Sequence, residues 1–193
     1  MSNARSYTLA GAAAGLIAGL AFAGAHALII TPIWSRMIGG LLFGVIAGAA
    51  AAWAYGELQA EHTPASVASG LRFGVMLWLS VVPVTLVDAA LRATGYAYAH
   101  RDITDAIAVV LAVAGGVTLG VLRGPRRRAT VACAVASLVV TMAMGGPVPV
   151  GRNVRTVEIL FAVLLASLVG GVAVGVIEPR LRALLTGRRP VSG

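Results

Sequence analysis

Six long apolar runs separated by short polar segments set the pattern of this chain. They extend from about Thr8 to Ile30, Met37 to Tyr55, Pro64 to Leu91, Ile103 to Leu122, Ala129 to Met144 and Thr156 to Ile177. A helix needs roughly 20 apolar residues to cross the hydrocarbon of a bilayer. All the runs but the fifth approach or exceed that length. None alternates in the period-two manner of a barrel strand, and backbone groups in lipid must be satisfied within the protein. The pattern therefore predicts an all-α, polytopic membrane bundle of six transmembrane helices. Residues 1–183 form its single transmembrane domain, and residues 184–193 a short basic tail.

Within the runs, glycine recurs at four-residue spacing. Gly11, Gly15 and Gly19 share one face of the first helix, and Gly40, Gly44 and Gly48 one face of the second. The pairs Gly70 and Gly74, Gly116 and Gly120, and Gly171 and Gly175 repeat the pattern on three more. Such small-xxx-small faces let helix backbones approach closely, and in lipid that contact replaces the hydrophobic drive of soluble bundles. These faces predict packing rather than chemistry.

Composition agrees with the membrane reading, since 59% of the 193 residues are hydrophobic and only 11% charged. All 15 basic residues are arginine, and with seven acids the formal net charge is +8. The arginines sit in loops and at the C-terminus instead of forming a face on a polar domain, so the charge points to anionic headgroups and not to nucleic acid. With six crossings, one side receives Arg5, Arg123, Arg126, Arg127, Arg128, Arg180, Arg182, Arg188 and Arg189. The other receives Arg36, Arg92, Arg101, Arg152 and Arg155. That asymmetry places both termini in the cytoplasm and the protein in a bacterial inner membrane. Arg72, a turn or two into the third run, adds to the same side if its side chain snorkels.

Aromatic residues near the run ends are expected to anchor the headgroup layers, with Tyr7, Trp53 and Tyr55 on the inner side and Trp34, Tyr96 and Tyr98 on the outer. Arg5 ahead of the first run, with small-x-small sites at Ala21 to Ala23 and Ala25 to Ala27, resembles a secretory signal. The run continues past both sites through Leu28, Ile29 and Ile30, which predicts a retained anchor helix.

Chemistry is sparse. The single cysteine, Cys133, excludes a disulfide within the chain, and no P-loop, dinucleotide fingerprint, HExxH or GxSxG motif occurs. Heme is disfavoured because His62 falls on the inner side and His26 and His100 on the outer. No enzyme is expected, and no cofactor.

His26 has only Phe22, Ala23, Ile29 and Ile30 at helical spacing, so any partner lies on another helix. With Asp88 at a similar depth it could hold a divalent cation, since imidazole and carboxylate suit such ions. Against this, Asp88, Asp105 and Glu158 each have an arginine within helical reach in Arg92, Arg101 and Arg155. Pro83 interrupts the third run and frees a carbonyl, with Ser80 and Thr85 beside it; Pro83, Ser80 and Arg72 line a transport path or serve packing. Residues 142–153, rich in Gly and Pro, form a connector or a re-entrant loop.

Glycine spacing in the first two runs is similar to that of predicted cobalt-uptake membrane subunits. The Pro-rich outer motif expected of such a chain is absent, so the similarity implies no residue roles.

Two functional classes fit. A transport-type component handling a cation or small solute accounts for His26, Asp88, Pro83 and the irregular stretch. A non-catalytic accessory subunit of a larger membrane complex accounts for the glycine faces. The first is favoured, because a purely structural helix has little reason to carry a histidine without a local partner. The expected partners are the bilayer with its anionic headgroups and either further copies of the chain or a larger membrane complex.

Overall fold

A computed structural model describes residues 3–29, 34–59, 63–123, 126–145 and 156–186. These residues are helical, with no strand among them. The elements are α1 (Asn3–Ile29), α2 (Trp34–Leu58), α3 (Val67–Ala93), the single turn α4 (Tyr96–Ala99), α5 (Arg101–Arg123), α6 (Arg127–Gly145) and α7 (Thr156–Thr186). Three stretches are long and apolar enough to cross a membrane among the described residues: Val67–Ala93, Arg101–Arg123 and Leu160–Leu185.

The six long helices follow the apolar runs, and each departure has a local cause. α3 starts at Val67, after Pro64, because Ser66 caps it: Ser66 Oγ accepts from Ser69 N, and Ser69 Oγ from Ser66 N, a reciprocal capping box. α3 stops at Thr94–Gly95, where Gly95 takes a left-handed φ of 79° that a side chain would resist. The sequence reading did not anticipate α4, which this turn launches. α7 was expected to end at Ile177 but runs through Pro179 to Thr186. α6 continues to Gly145, so the irregular stretch begins as helix. Residues 146–153 of that stretch, and residues 187–193 of the tail, lie outside the described residues.

The helices close into a ring. α1 packs on α2 and α7, α7 on α3, α3 on α5, α5 on α6, and α6 on α2. A slighter contact of α3 with α6 crosses inside α5. Three antiparallel seams in this ring are made at glycine. Gly11 and Gly15 of α1 lie against the backbone of Gly48 and Gly44 of α2; Gly70 and Gly74 of α3 against Gly171 and Ser167 of α7; and Gly116 and Gly120 of α5 against Cys133, Ala134 and Thr130 of α6. At each of these contacts a carbonyl or Cα occupies the space a methyl would need. The expected glycine faces are thus where helices touch. Gly40 lies among residues whose surroundings are not described.

The interior is built from small residues, with Ala10, Ala14, Ala54, Ala112, Ala132 and Ala136 at 1% exposure or less. Larger side chains point outward: Leu42, Val110, Leu122 and Phe161 are all more than half exposed. A water-soluble domain buries such residues and rarely exposes them in continuous bands. Small inside and large outside is the arrangement of helices whose surroundings are hydrocarbon and whose association depends on close contact.

The seams generate a paired test. Gly15→Val drives a side chain into the Gly44 carbonyl and should cost about 1–3 kcal/mol or prevent assembly. Gly24→Val, on the same helix with none of the described residues within 4 Å of an added Cβ, should leave the melting temperature in detergent unchanged.

Candidate functional site

Among the described residues, polar contacts concentrate at the end of the bundle where α1 begins and α7 finishes, called here the terminal end. Glu178 of α7 is 0% exposed. Its Oε1 accepts from Ser6 Oγ of α1 at 2.9 Å and from Arg182 Nε at 2.7 Å, and Arg182 Nη2 lies 2.5 Å from the same oxygen. Its Oε2 accepts from the backbone N–H of Ala65, in the α2–α3 connection, at 2.9 Å. Glu178 precedes Arg182 by four residues, the favourable order for a helical pair. Burying a carboxylate is costly unless both its oxygens and a counter-charge are supplied, and here they are.

A second tier joins the same segments. Tyr7 donates to Thr63 O at 2.9 Å, and Arg182 Nη2 reaches that carbonyl at 3.4 Å. The Arg182 guanidinium also lies over the Tyr7 ring, 5.7 Å from its centroid. Tyr7 meets Tyr55 of α2 edge to face at 5.2 Å, and Tyr55 stacks on Phe73 of α3 at 5.0 Å. The Tyr55 hydroxyl donates to Ser69 Oγ, linking α2 to the cap of α3. One carboxylate, one guanidinium and two phenols therefore bind α1, α2, α3 and α7 together.

Beside Tyr55 and Phe73 the helices border a partly open cavity of about 90 Å³. Its wall comes from α1, α2, α3, α6 and α7 and consists almost wholly of Gly, Ala and Val carbon, with Ser167 and Tyr55 supplying its side-chain hydroxyls. The glycines that make the α1–α2 and α3–α7 seams also face it. Apolar cavities of this order stay dry and accept apolar molecules.

The residues singled out in the sequence are scattered. The side chains of His26 and Trp34 lie outside the described residues, as does His62. Asp88 pairs with Arg92, Oδ2 to Nε at 2.7 Å, and borders a small apolar crevice between α3 and α5. Asp105 meets Arg101 at 3.8 Å on the surface; the side chain of Glu158 and residue Arg155 are outside the described residues. Among the described residues no group of three potential metal ligands comes together.

Pro83 is exposed within α3 and Arg72 is exposed near its start. Ser80 is buried, donates to Leu77 O at 2.7 Å and lies 3.3 Å from the Ser137 hydroxyl of α6. One turn along α6, the buried Thr141 hydroxyl has no hydrogen-bond partner among the described residues.

Trp53 is partly buried. Tyr55 and Tyr7, also expected as inner-side anchors, are 3% and 0% exposed. Their hydroxyls find partners inside the protein, which removes the reason for a tyrosine to seek the headgroup layer.

Sequence reasoning missed Glu178, Ser6 and Arg182. The available signal was the Glu-to-Arg spacing of four in "IEPRLR" directly after an apolar run. Pro179, a residue type that commonly ends helices, directly follows Glu178.

Comparison with protein-family models, with curated proteins and with solved structures finds no match.

The network predicts a graded response. Glu178→Ala leaves Arg182 and the Ala65 N–H without their acceptor and should cost about 3–5 kcal/mol. Ser6→Ala removes one of several bonds and should cost about 1 kcal/mol. Melting temperatures in one detergent should fall in that order.

Proposed function

We propose that this chain is a multi-pass bacterial inner-membrane protein with six crossings and cytoplasmic termini. We further propose that it is a transport-type component whose substrate is an amphiphile, the hydrocarbon chain of which enters the central cavity. The observation that carries this reading is the partly open, carbon-lined chamber between the helices, with Tyr55 and Phe73 in its wall. Small apolar molecules cross lipid unaided, whereas an amphiphile is held back by its polar head, whose transfer through hydrocarbon is costly. A protein that shelters the chain and offers polar groups at both ends of the bundle lowers that barrier.

The cation version of the transport reading has less support. A metal ion needs several oxygen, nitrogen or sulfur donors, and the chamber wall offers few. Asp88 already holds Arg92.

Crossing number and orientation draw support from the arginine asymmetry and from the Ser6–Glu178 bond, which puts the first and last helices at one end. Reporter fusions at Gly124 and at the C-terminus should read as cytoplasmic, and a fusion at Ala97 as periplasmic. The opposite pattern, or an odd number of crossings, defeats the orientation.

The chamber reading has its own test. Gly170 borders the cavity and, among the described residues, a Cβ there meets only the Ala18 methyl, at 3.4 Å, so Gly170→Val places its first added carbon without striking backbone. In liposomes carrying an inner-leaflet lipid with a dithionite-sensitive fluorophore, the wild-type protein should speed its exposure to external dithionite. Gly170→Val should melt no lower than wild type and should abolish the acceleration. A wild-type protein that moves no lipid, yet co-purifies with a larger membrane partner, establishes the accessory-subunit reading instead.

A further inference from the structure

Three arginines on neighbouring helices reach one level at the terminal end. Gly115 of α5 lies against Ser80 of α3. The same antiparallel register holds further along, where Val84, Leu91, Thr104 and Leu111 line one crevice. Eight positions from Ser80 and from Gly115 toward the terminal end stand Arg72 on α3 and Arg123 on α5. On the other flank of α5, Gly116 lies against Ala134 and Gly120 against Thr130. Carried to the end of the helix, that register sets Arg127 of α6 opposite Arg123. Packed helices lie about 8–10 Å apart, a gap that facing arginine side chains span.

All three arginines are exposed, and the ion pairs among the described residues use Arg92, Arg101 and Arg182 instead. Arg123 is the most telling. Its Nη2 and Nε donate to the Met76 sulfur at 2.7 and 3.2 Å. A thioether is a weak acceptor, while a guanidinium fork matches the oxygens of a phosphate. Met76 is one helical turn farther from the terminal end than Arg72, so the Arg123 head is drawn toward the hydrocarbon. Val75, Leu79 and Leu122 are exposed on the same two helices.

We infer that Arg72, Arg123 and Arg127 form a binding site for the phosphate of one anionic phospholipid, whose acyl chains lie along Val75, Leu79 and Leu122. The aliphatic surface beside the arginines is what favours a lipid phosphate over a free one. The site rests on the membrane placement proposed above and is separate from the chamber, so its test reads binding and not lipid movement.

Native mass spectrometry of the full chain in a neutral detergent, titrated with phosphatidylglycerol, phosphatidylcholine or inorganic phosphate, measures the site directly. Wild-type protein should bind phosphatidylglycerol in preference to phosphatidylcholine. Arg123→Gln and Arg72→Gln should each weaken that binding about fivefold, the effect of one arginine at an anionic surface. Arg180→Gln removes the same charge from an exposed position on α7 and should leave binding unchanged, and melting temperatures should show all the variants folded. Equal loss in Arg180→Gln, equal binding of phosphatidylcholine, or displacement of phosphatidylglycerol by inorganic phosphate at similar concentration would each overturn the site. If Arg123→Gln is unstable, Arg72→Gln on a different helix carries the comparison alone.

Discussion

Backbone-to-backbone contact at glycine is the constraint on which this bundle depends. In hydrocarbon, helices gain little by hiding apolar side chains from one another, because lipid tails solvate those side chains equally well. What remains is the density of contact, which grows as the axes approach. The seams of α1 with α2, α3 with α7 and α5 with α6 bring carbonyl oxygens onto the Cα atoms of the facing helix. Close approach of this kind also permits weak Cα–H to carbonyl contacts. The cost is an interior with little side-chain volume. Where helices diverge from a seam nothing large fills the gap, so the chamber follows from the same small residues that hold the ring together.

Polar groups finish what the glycines begin. Two helices touching along a small-residue stripe have little to prevent one sliding on the other, since the surfaces are smooth. The Glu178 carboxylate sets the axial position, for it must meet Ser6, Ala65 and Arg182 together. Directional bonds in a low-dielectric setting are strong when complete and expensive when incomplete, so they resist displacement in a way that the stripes do not. Near the middle of α3, the Trp78 indole donating to Leu160 O at 3.0 Å fixes the same helix pair α3 and α7 a second time.

Much of the helix layout was legible in the sequence because two independent patterns agreed. Apolar runs gave the helix extents, and glycine spacing gave the faces that meet, as at Gly11, Gly15, Gly44 and Gly48. The terminal network was not legible, for three physical reasons. Its members, Ser6, Thr63, Ala65 and Glu178, are separated by as many as 172 positions, and no local period links them. Pro179 normally marks a helix end, yet here α7 continues, its geometry held by the ion pair on either side. Tyr7 and Tyr55 lie where interfacial aromatics lie, and depth alone does not reveal which way a ring points. Asp88 and Arg92 were readable as a pair because both sit on one helix, one turn apart.

The bond between Ser6 and Glu178 has a consequence for the order in which the chain comes together. α1 and α2 follow one another in synthesis, so their seam forms as soon as both have entered the membrane. The same holds for α5 and α6. α3 meets the next long helix, α5, at Gly115 against Ser80, but its own glycines Gly70 and Gly74 meet α7, which comes later in the chain. Until α7 arrives, the Glu178 carboxylate and the Arg182 guanidinium are not there for Ser6, the Ala65 N–H and the Tyr7 ring to meet. Closure of the ring then waits for α7, whose single carboxylate meets Ser6 of α1 and the Ala65 N–H together.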